Sequence, residues 1–327
     1  MTRHPSPQST IAILIPCYNE GKTVAGVING FRLQLPDADI YVYDNNSTDN
    51  TAEEARRAGA TVRSENRQGK GNVVRSMFRE VDADVYVMVD GDGTYPPENV
   101  HELIRPIVTG DADMVIGSRL HTLSDRHFKP LNRIGNRLFL FLLNSIFRVN
   151  ITDLLSGYRA FSRRVVKSLP IISRGFEIET ELTVKCLERN YRVVEVPISL
   201  SPRPKGSKSK IKIFRDGFLI LNTIFALFRD YKPLTAFGLV GLILVVSGFI
   251  PGTVVIKEFI ATGYINRIPS AILAVGLVLS GLLVAFVGLV LHTISRRFQE
   301  LDCQLQNLIG CVEQPDAKKK DNSRKLP

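Results

Sequence analysis

Val85-Tyr86-Val87-Met88-Val89-Asp90-Gly91-Asp92-Gly93-Thr94-Tyr95-Pro96-Pro97 is an unbroken apolar run that ends in two carboxylates separated by one glycine. A short run rich in β-branched and aromatic residues, closed by turn residues, reads as a buried strand. Asp90 then ends the strand, Gly91 allows a tight turn, and Asp92 brings a second carboxylate to the same ligand. The pattern repeats outward from this point. Other β-rich runs fall at 11–15, 40–43, 61–64 and 114–116, and segments with helical spacing of apolar positions at 23–35, 51–58, 70–81 and 97–108. This alternation predicts a parallel, doubly wound α/β sheet. Ligands of such sheets bind at the carboxyl ends of the strands, where the polar motifs of this chain also fall. No GxGxxG follows the first strand, so the dinucleotide fingerprint is absent.

Two carboxylates so placed suit a hard divalent cation. Mg²⁺ typically takes one or two carboxylates and completes its shell with substrate phosphates. A departing nucleoside diphosphate accumulates charge that such an ion neutralises. D-x-D pairs also occur in ordinary loops; the position directly after a buried strand gives this one its meaning.

The mean hydropathy of +0.05 hides an uneven distribution. Segments 235–256 and 270–294 carry no charged residue, and about 20 apolar residues suffice to cross a bilayer. Segment 257–269 is then the hairpin turn between two spans. Arg203, Lys205, Lys208, Lys210, Lys212, Arg215, Arg229 and Lys232 precede the first span, and Arg296, Arg297 and Lys318-Lys319-Lys320 follow the second. The positive-inside bias therefore puts both termini and the large N-terminal part in the cytosol of a multi-pass protein of the cytoplasmic membrane. Residues 1–10 show no apolar signal-peptide core. The net charge of +10, concentrated beside the spans, fits anionic headgroups rather than nucleic acid. Segments 129–147 and 209–228 combine basic heads with aromatic and aliphatic bodies, as helices lying in the headgroup plane do; core helices with a basic edge are the alternative. Cys17, Cys186, Cys303 and Cys311 lack metal-type spacing and read as free thiols.

Ile15-Pro16-Cys17-Tyr18-Asn19-Glu20, Asp44-Asn45-Asn46-Ser47-Thr48-Asp49-Asn50-Thr51, Gly69-Lys70-Gly71, Asp90-Gly91-Asp92 and Asp153-Leu154-Leu155-Ser156-Gly157-Tyr158-Arg159 occur in this order. Together they resemble the GT-A glycosyltransferases of family 2. The last motif is similar to the polyprenyl-phosphate branch, which includes dolichyl-phosphate mannose synthases and GtrB-like bacterial undecaprenyl-phosphate glucosyltransferases. The resemblance extends to about Arg297.

It implies a mixed GT-A sheet and inverting transfer of a hexose from a nucleotide sugar to polyprenyl phosphate, with Mg²⁺ or Mn²⁺ as cofactor. UDP-glucose and undecaprenyl phosphate are the first choice, GDP-mannose the nearest competitor. Pro16, Tyr18, Glu20 and Asp44 would line the nucleoside pocket. Asp90 and Asp92 would hold metal and donor. Lys70 would approach the donor diphosphate or base, unless it is an exposed lysine at a helix start. Arg119 would bind phosphate or form a structural ion pair. Asp153 is the general-base candidate, or else orients the acceptor or helps organise the metal site. Arg159 would support Asp153 or meet the lipid phosphate; Arg203, Lys205 and Ser207 would bind that phosphate, or Arg203 and Lys205 are only a positive-inside flank. Asn45, Asn46 and Asp49 read as turn and cap residues, and Glu177 and Glu179 as a solvated helix start or as facing the site. Asp90-Gly-Asp-Gly-Thr-Tyr departs from the D-x-D-L-Q form frequent in this branch, which leaves the sugar open.

The expected organisation is a GT-A domain over 1–200, a basic segment with the second interfacial helix over 201–233, the two spans within 234–296, and a cytosolic tail over 297–327. Two short spans are compatible with a homo-oligomer. The absence of tryptophan argues against a processive synthase with a Q-x-x-R-W motif, and the intact acids argue against a non-catalytic scaffold or flippase partner.

Overall fold

The computed structural model describes residues 9–119, 140–141, 143–145, 149–175, 177–200, 226, 228–230 and 232–312. Both expected interfacial segments fall largely outside the described residues, as do Arg203, Lys205 and Ser207. The chain divides into two compact units, Met1–Ile224 and Phe225–Pro327.

The first unit is built on one sheet of seven strands: β1 Ile11–Cys17, β2 Asp39–Asp44, β3 Thr61–Ser64, β4 Val85–Met88, β5 Met114–Ser118, β6 Arg159–Ser162 and β7 Val193–Pro197. Their order across the sheet is β3-β2-β1-β4-β6-β5-β7. The pairs β3–β2, β2–β1, β1–β4 and β5–β7 are parallel, but β6 runs antiparallel between β4 and β5. The wholly parallel sheet predicted from alternation is thus corrected to a mixed one. Arg-Ala-Phe-Ser offers no apolar run to mark β6; its neighbours supply both sets of ladder bonds.

Alternate side chains of each strand point to opposite faces, and here both faces are covered. Ile13, Ile15 and Val87 pack with Val27, Ile28 and Phe31 of α1 (Val24–Gln34) and Leu103 and Ile107 of α4 (Val100–Val108). Leu14, Tyr86 and Met88 face the opposite layer, with Val74, Met77 and Phe78 of α3 (Lys70–Glu80), Val165 of α5 (Arg163–Ser168) and Leu182 of α6 (Ile178–Glu188). Burial on both faces explains why these strands read as continuous apolar runs. A short helix, α2 (Thr51–Arg57), follows β2.

Register positions the motifs. Cys17 pairs with Asp44 and Leu14 with Met88, so β1 runs past the end of β4. The Asp90–Asp92 turn therefore crosses the end of β1, and the hydroxyl of Thr23 donates to the Gly91 carbonyl at 2.6 Å. Gly91 is required by this approach rather than by a left-handed backbone: a Cβ there would lie 2.5 Å from Cys17 Sγ.

The second unit is a helical hairpin, α7 (Pro233–Thr262) and α8 (Ile268–Val312). Pro233–Thr262 and Ile268–Phe298 are both long and apolar enough to cross a membrane, and large apolar residues such as Leu242, Phe249, Leu283 and Phe286 stay exposed along them. The turn is shorter than expected, because α7 continues through Lys257 and ends at Gly263, whose φ of +72° permits the left-handed cap. Small residues bring the helices together, as in membrane bundles. A Cβ on Gly241 would lie 2.6 Å from the Gly281 carbonyl oxygen, and the reverse holds for Gly281.

Candidate active site

The ends of β1 and β2 make the first wall. Pro16 lies in β1 opposite Tyr43, and Tyr18 just beyond is exposed. Asn19 takes a φ of 52°; its N–H donates to Ser47 Oγ (2.9 Å), and its Oδ1 accepts from the Thr48 N–H (2.7 Å). The Glu20 N–H donates to Thr51 Oγ1 (2.8 Å), while the Glu20 carbonyl starts α1 by accepting from the N–H groups of Thr23 and Val24. Asp44 is buried. Its Oδ2 accepts from the Ser47 N–H (3.3 Å), yet its Oδ1 has no partner among the described residues. A buried carboxylate oxygen without a donor is costly, so this atom is suited to receive one from a ligand.

Asn45, Asn46 and Asp49 fasten loops. Asn45 donates to the carbonyls of Glu65 and Arg67 and accepts from the Gly69 N–H at 2.7 Å, and Asn46 donates to the Asn66 carbonyl. Asp49 accepts from the Gly21 and Thr51 N–H groups.

Lys70 is not an exposed helix-start lysine. Its ammonium lies 2.5 Å from Asp90 Oδ1 and 2.5 Å from Glu179 Oε1, with the side chain 10% exposed. Burial disfavours the charge, but the two carboxylates outweigh it and hold the ammonium protonated far above the usual lysine range. Glu179 sits in the first turn of α6 and is itself buried. Glu181 accepts from the Ile172 and Ser173 N–H groups, fixing the loop whose Arg174 carbonyl accepts from the Gly71 N–H. Gly69 (φ +126°) and Gly71 leave room for that loop, since a Cβ on either would collide with its carbonyls. Asp92 is buried and accepts from the Thr94 hydroxyl (2.6 Å) and N–H (3.1 Å) through Oδ1.

Asp153 forms the opposite side. Arg119 donates to it from Nε (2.7 Å) and Nη2 (2.9 Å), so of the two readings of Arg119 the structure holds the ion pair. Burial alone would raise the Asp153 carboxyl; the Arg119 hydrogen bonds and charge more than reverse that and hold it below the ordinary range. Glu195 of β7 accepts from the Asp153 N–H (2.9 Å) and from the Thr152 N–H and hydroxyl. Gly157 joins the two halves of the site. Its N–H donates to the Tyr95 hydroxyl (3.0 Å), and its missing side chain leaves space for the Asp90 carboxylate.

The phosphate-contact reading of Arg159 is corrected. Its side chain is 0% exposed, and its guanidinium donates to the carbonyls of Ser156 (2.8 Å) and Leu154 (2.7 Å) and to Thr183 Oγ1 (2.8 Å). A group so enclosed supports the Asp153 loop from beneath and is out of reach of a lipid headgroup. Of the two readings of Glu179 the structure holds the site-facing one, buried against Lys70, whereas Tyr95 and Glu195 are site residues that sequence reading missed. Only Glu179 carried a signal, in the acidic run Glu177-Ile-Glu-Thr-Glu181.

Among the described residues no three His, Cys, Asp or Glu side chains are grouped to hold a metal. Among the described residues, Asp90 and Asp92 beyond the end of β4 are the carboxylates expected to serve as ion ligands. Two carboxylates fit an oxygen-preferring divalent ion that takes its other ligands from substrate phosphates and water, and do not fit a closed structural site.

The glycosyl transferase family 2 model matches residues 12–169. Glycosyltransferase AglJ of Haloferax volcanii is 34% identical over 287 residues, covering 86% of this chain and 92% of that protein. The dolichol-phosphate mannosyltransferase of Pyrococcus furiosus is 29% identical over 255 residues, covering 73% of this chain and 71% of its own. Glucosyl-3-phosphoglycerate synthase from Mycobacterium tuberculosis, solved with Mn²⁺, uridine-diphosphate-glucose and phosphoglyceric acid, superposes with a TM-score of 0.58 over 67% of this chain and 79% of that one. At 22% identity that likeness speaks for the fold, the mixed GT-A sheet. With a relative above 30% identity matched over nearly its whole length, the chain belongs to glycosyl transferase family 2 and is a transferase enzyme.

Proposed function

We propose that the enzyme transfers a hexose, glucose from UDP-glucose in the first instance, to the phosphate of a polyprenyl lipid, undecaprenyl phosphate, with inversion at the anomeric carbon. One observation carries the reading: a buried carboxylate with an unpartnered oxygen (Asp44) and an Asp90/Asp92 pair beside a largely enclosed cation (Lys70) lie at the strand ends of a chain that also holds two membrane-length apolar helices. Asp44 and Glu20 would accept from ribose hydroxyls and base N–H groups, beside Pro16 and Tyr18. Asp90 and Asp92 would hold Mg²⁺ or Mn²⁺, which when bound neutralises charge on the departing nucleoside diphosphate.

The acceptor demands little of a base. A phosphate monoester has its second pKa near ~6 and is largely dianionic at neutral pH. Asp153, ionised and gripped by Arg119, is suited to shaping the acceptor side rather than removing a proton. Arg203, Lys205 and Ser207 are proposed to meet the lipid phosphate at the membrane surface, with the catalytic unit and both termini cytosolic.

Labelled nucleotide sugars offered with undecaprenyl phosphate in detergent, with and without EDTA, test this. Label should enter the lipid fraction from UDP-glucose and stop on chelation. Its absence with every donor would overturn the reading. GDP-mannose is the second donor to try, since one relative is named a dolichol-phosphate mannosyltransferase.

A further inference from the structure

The Lys70 ammonium occupies one oxygen of a carboxylate assigned above to a divalent ion. It lies 2.5 Å from Asp90 Oδ1, while Asp90 Oδ2 packs against the backbone of Gly157. A dication bound to Asp90 would therefore share a carboxylate with a largely enclosed monocation, and like charges so close repel. Glu179 offers the ammonium a second anchor, also at 2.5 Å. That carboxylate is fixed in the first turn of α6, where the helix dipole favours a negative charge, and the lysine stem is long enough to pivot toward it.

We propose that Lys70 is a resident cation that holds Asp90 until the divalent ion arrives, and that Glu179 is the positioning residue that keeps Lys70 when the ion takes Asp90. The proposal rests on the reading of Asp90 and Asp92 as ion ligands. It gives Glu179 a role in ion binding although Glu179 is not itself a ligand.

The two partners then act with opposite sign. Lys70→Gln removes the competitor, and Mn²⁺ alone should bind about tenfold more tightly. Glu179→Gln leaves Lys70 with Asp90 as its carboxylate partner, and Mn²⁺ should bind about tenfold more weakly. In the double variant the Glu179 effect should shrink, because the lysine it positions is gone. If the two side chains were only structural, losing either would loosen the site and weaken Mn²⁺ in both variants.

Mn²⁺ titration of the full chain in detergent, followed by electron paramagnetic resonance with and without UDP, reads these shifts directly. Wild-type protein that bound no Mn²⁺ even with UDP would remove the ion reading itself. Wild-type binding with both variants shifted in the same direction would overturn the Lys70–Glu179 proposal alone. Circular dichroism checks folding, and Lys70→Met, which keeps an apolar stem without charge, should repeat the tightening should Lys70→Gln fail to fold.

Discussion

Arg119 holds Asp153 through three donors, its own backbone N–H at 3.1 Å, Nε at 2.7 Å and Nη2 at 2.9 Å, so that both carboxylate oxygens are engaged by one residue. A carboxylate bound this way is a positioned anion, since charge-assisted bidentate pairs are among the strongest hydrogen bonds in proteins.

Asp153→Asn should lower kcat on the order of 10²-fold by displacing the proposed acceptor side of the site. The depressed carboxyl pKa means that Asp153 is ionised throughout the neutral range. With the proposed polyprenyl-phosphate acceptor, the acid limb of the rate profile should therefore persist in the variant, set by the phosphate ionisation near ~6. Parallel pH–rate profiles of both proteins check this; a limb lost with Asp153 would indicate proton removal.

Gly157→Ala should impair catalysis and Mn²⁺ binding while leaving the fold intact. A Cβ at this position collides with the Asp90 carboxylate, whose displacement separates the acidic pair. Mn²⁺ titration beside a thermal melt distinguishes a local from a global effect: affinity should fall, with little change in Tm.

Glu65 predicts an acid-sensitive link between the loop after β3 and helix α3. Hydrogen bonding from Arg67 lowers its carboxyl from 4.5 to about 2, with help from the Ser76 hydroxyl and against some burial. A depressed folded pKa stabilises the fold fully above the ordinary value, and the contribution is lost as pH falls from about 4.5 toward about 2. Glu65→Gln should destabilise the protein at pH 7, with the difference from wild type narrowing across that window. Urea melts at stepped pH measure it.

Gly241→Leu or Gly281→Leu should loosen the helical hairpin. Each helix approaches the other's backbone at these positions, where a Cβ would lie 2.6 Å from the facing carbonyl oxygen. Overpacking of this kind costs about 1–3 kcal/mol, visible as a lower Tm in detergent. Nucleotide binding by the first unit should remain.

Much of this protein follows from local sequence. β3 (61–64) begins and ends where its β-branched run does, β1 and β2 lie within one or two residues of theirs, and each uncharged segment lies inside one membrane-length helix that runs a few residues beyond it. Such features depend on periodicity and on side chains a few residues apart, so the chain declares them itself. The Asp-Gly-Asp turn was legible for the same reason.

What the tertiary structure decided is pairing between distant residues. β6 enters antiparallel between β4 and β5, and its ladder bonds come from neighbours that no local pattern names. That insertion buries Arg159 at the start of β6, under the loop that a phosphate contact would have required it to leave. The Lys70–Glu179 ion pair spans 109 residues of sequence, and Arg119 meets Asp153 across 34. A charged residue in a linear sequence shows its valence but not its partner, because the partner is set by how strands and helices pack. For this site, that packing separates solvated charge from chemistry.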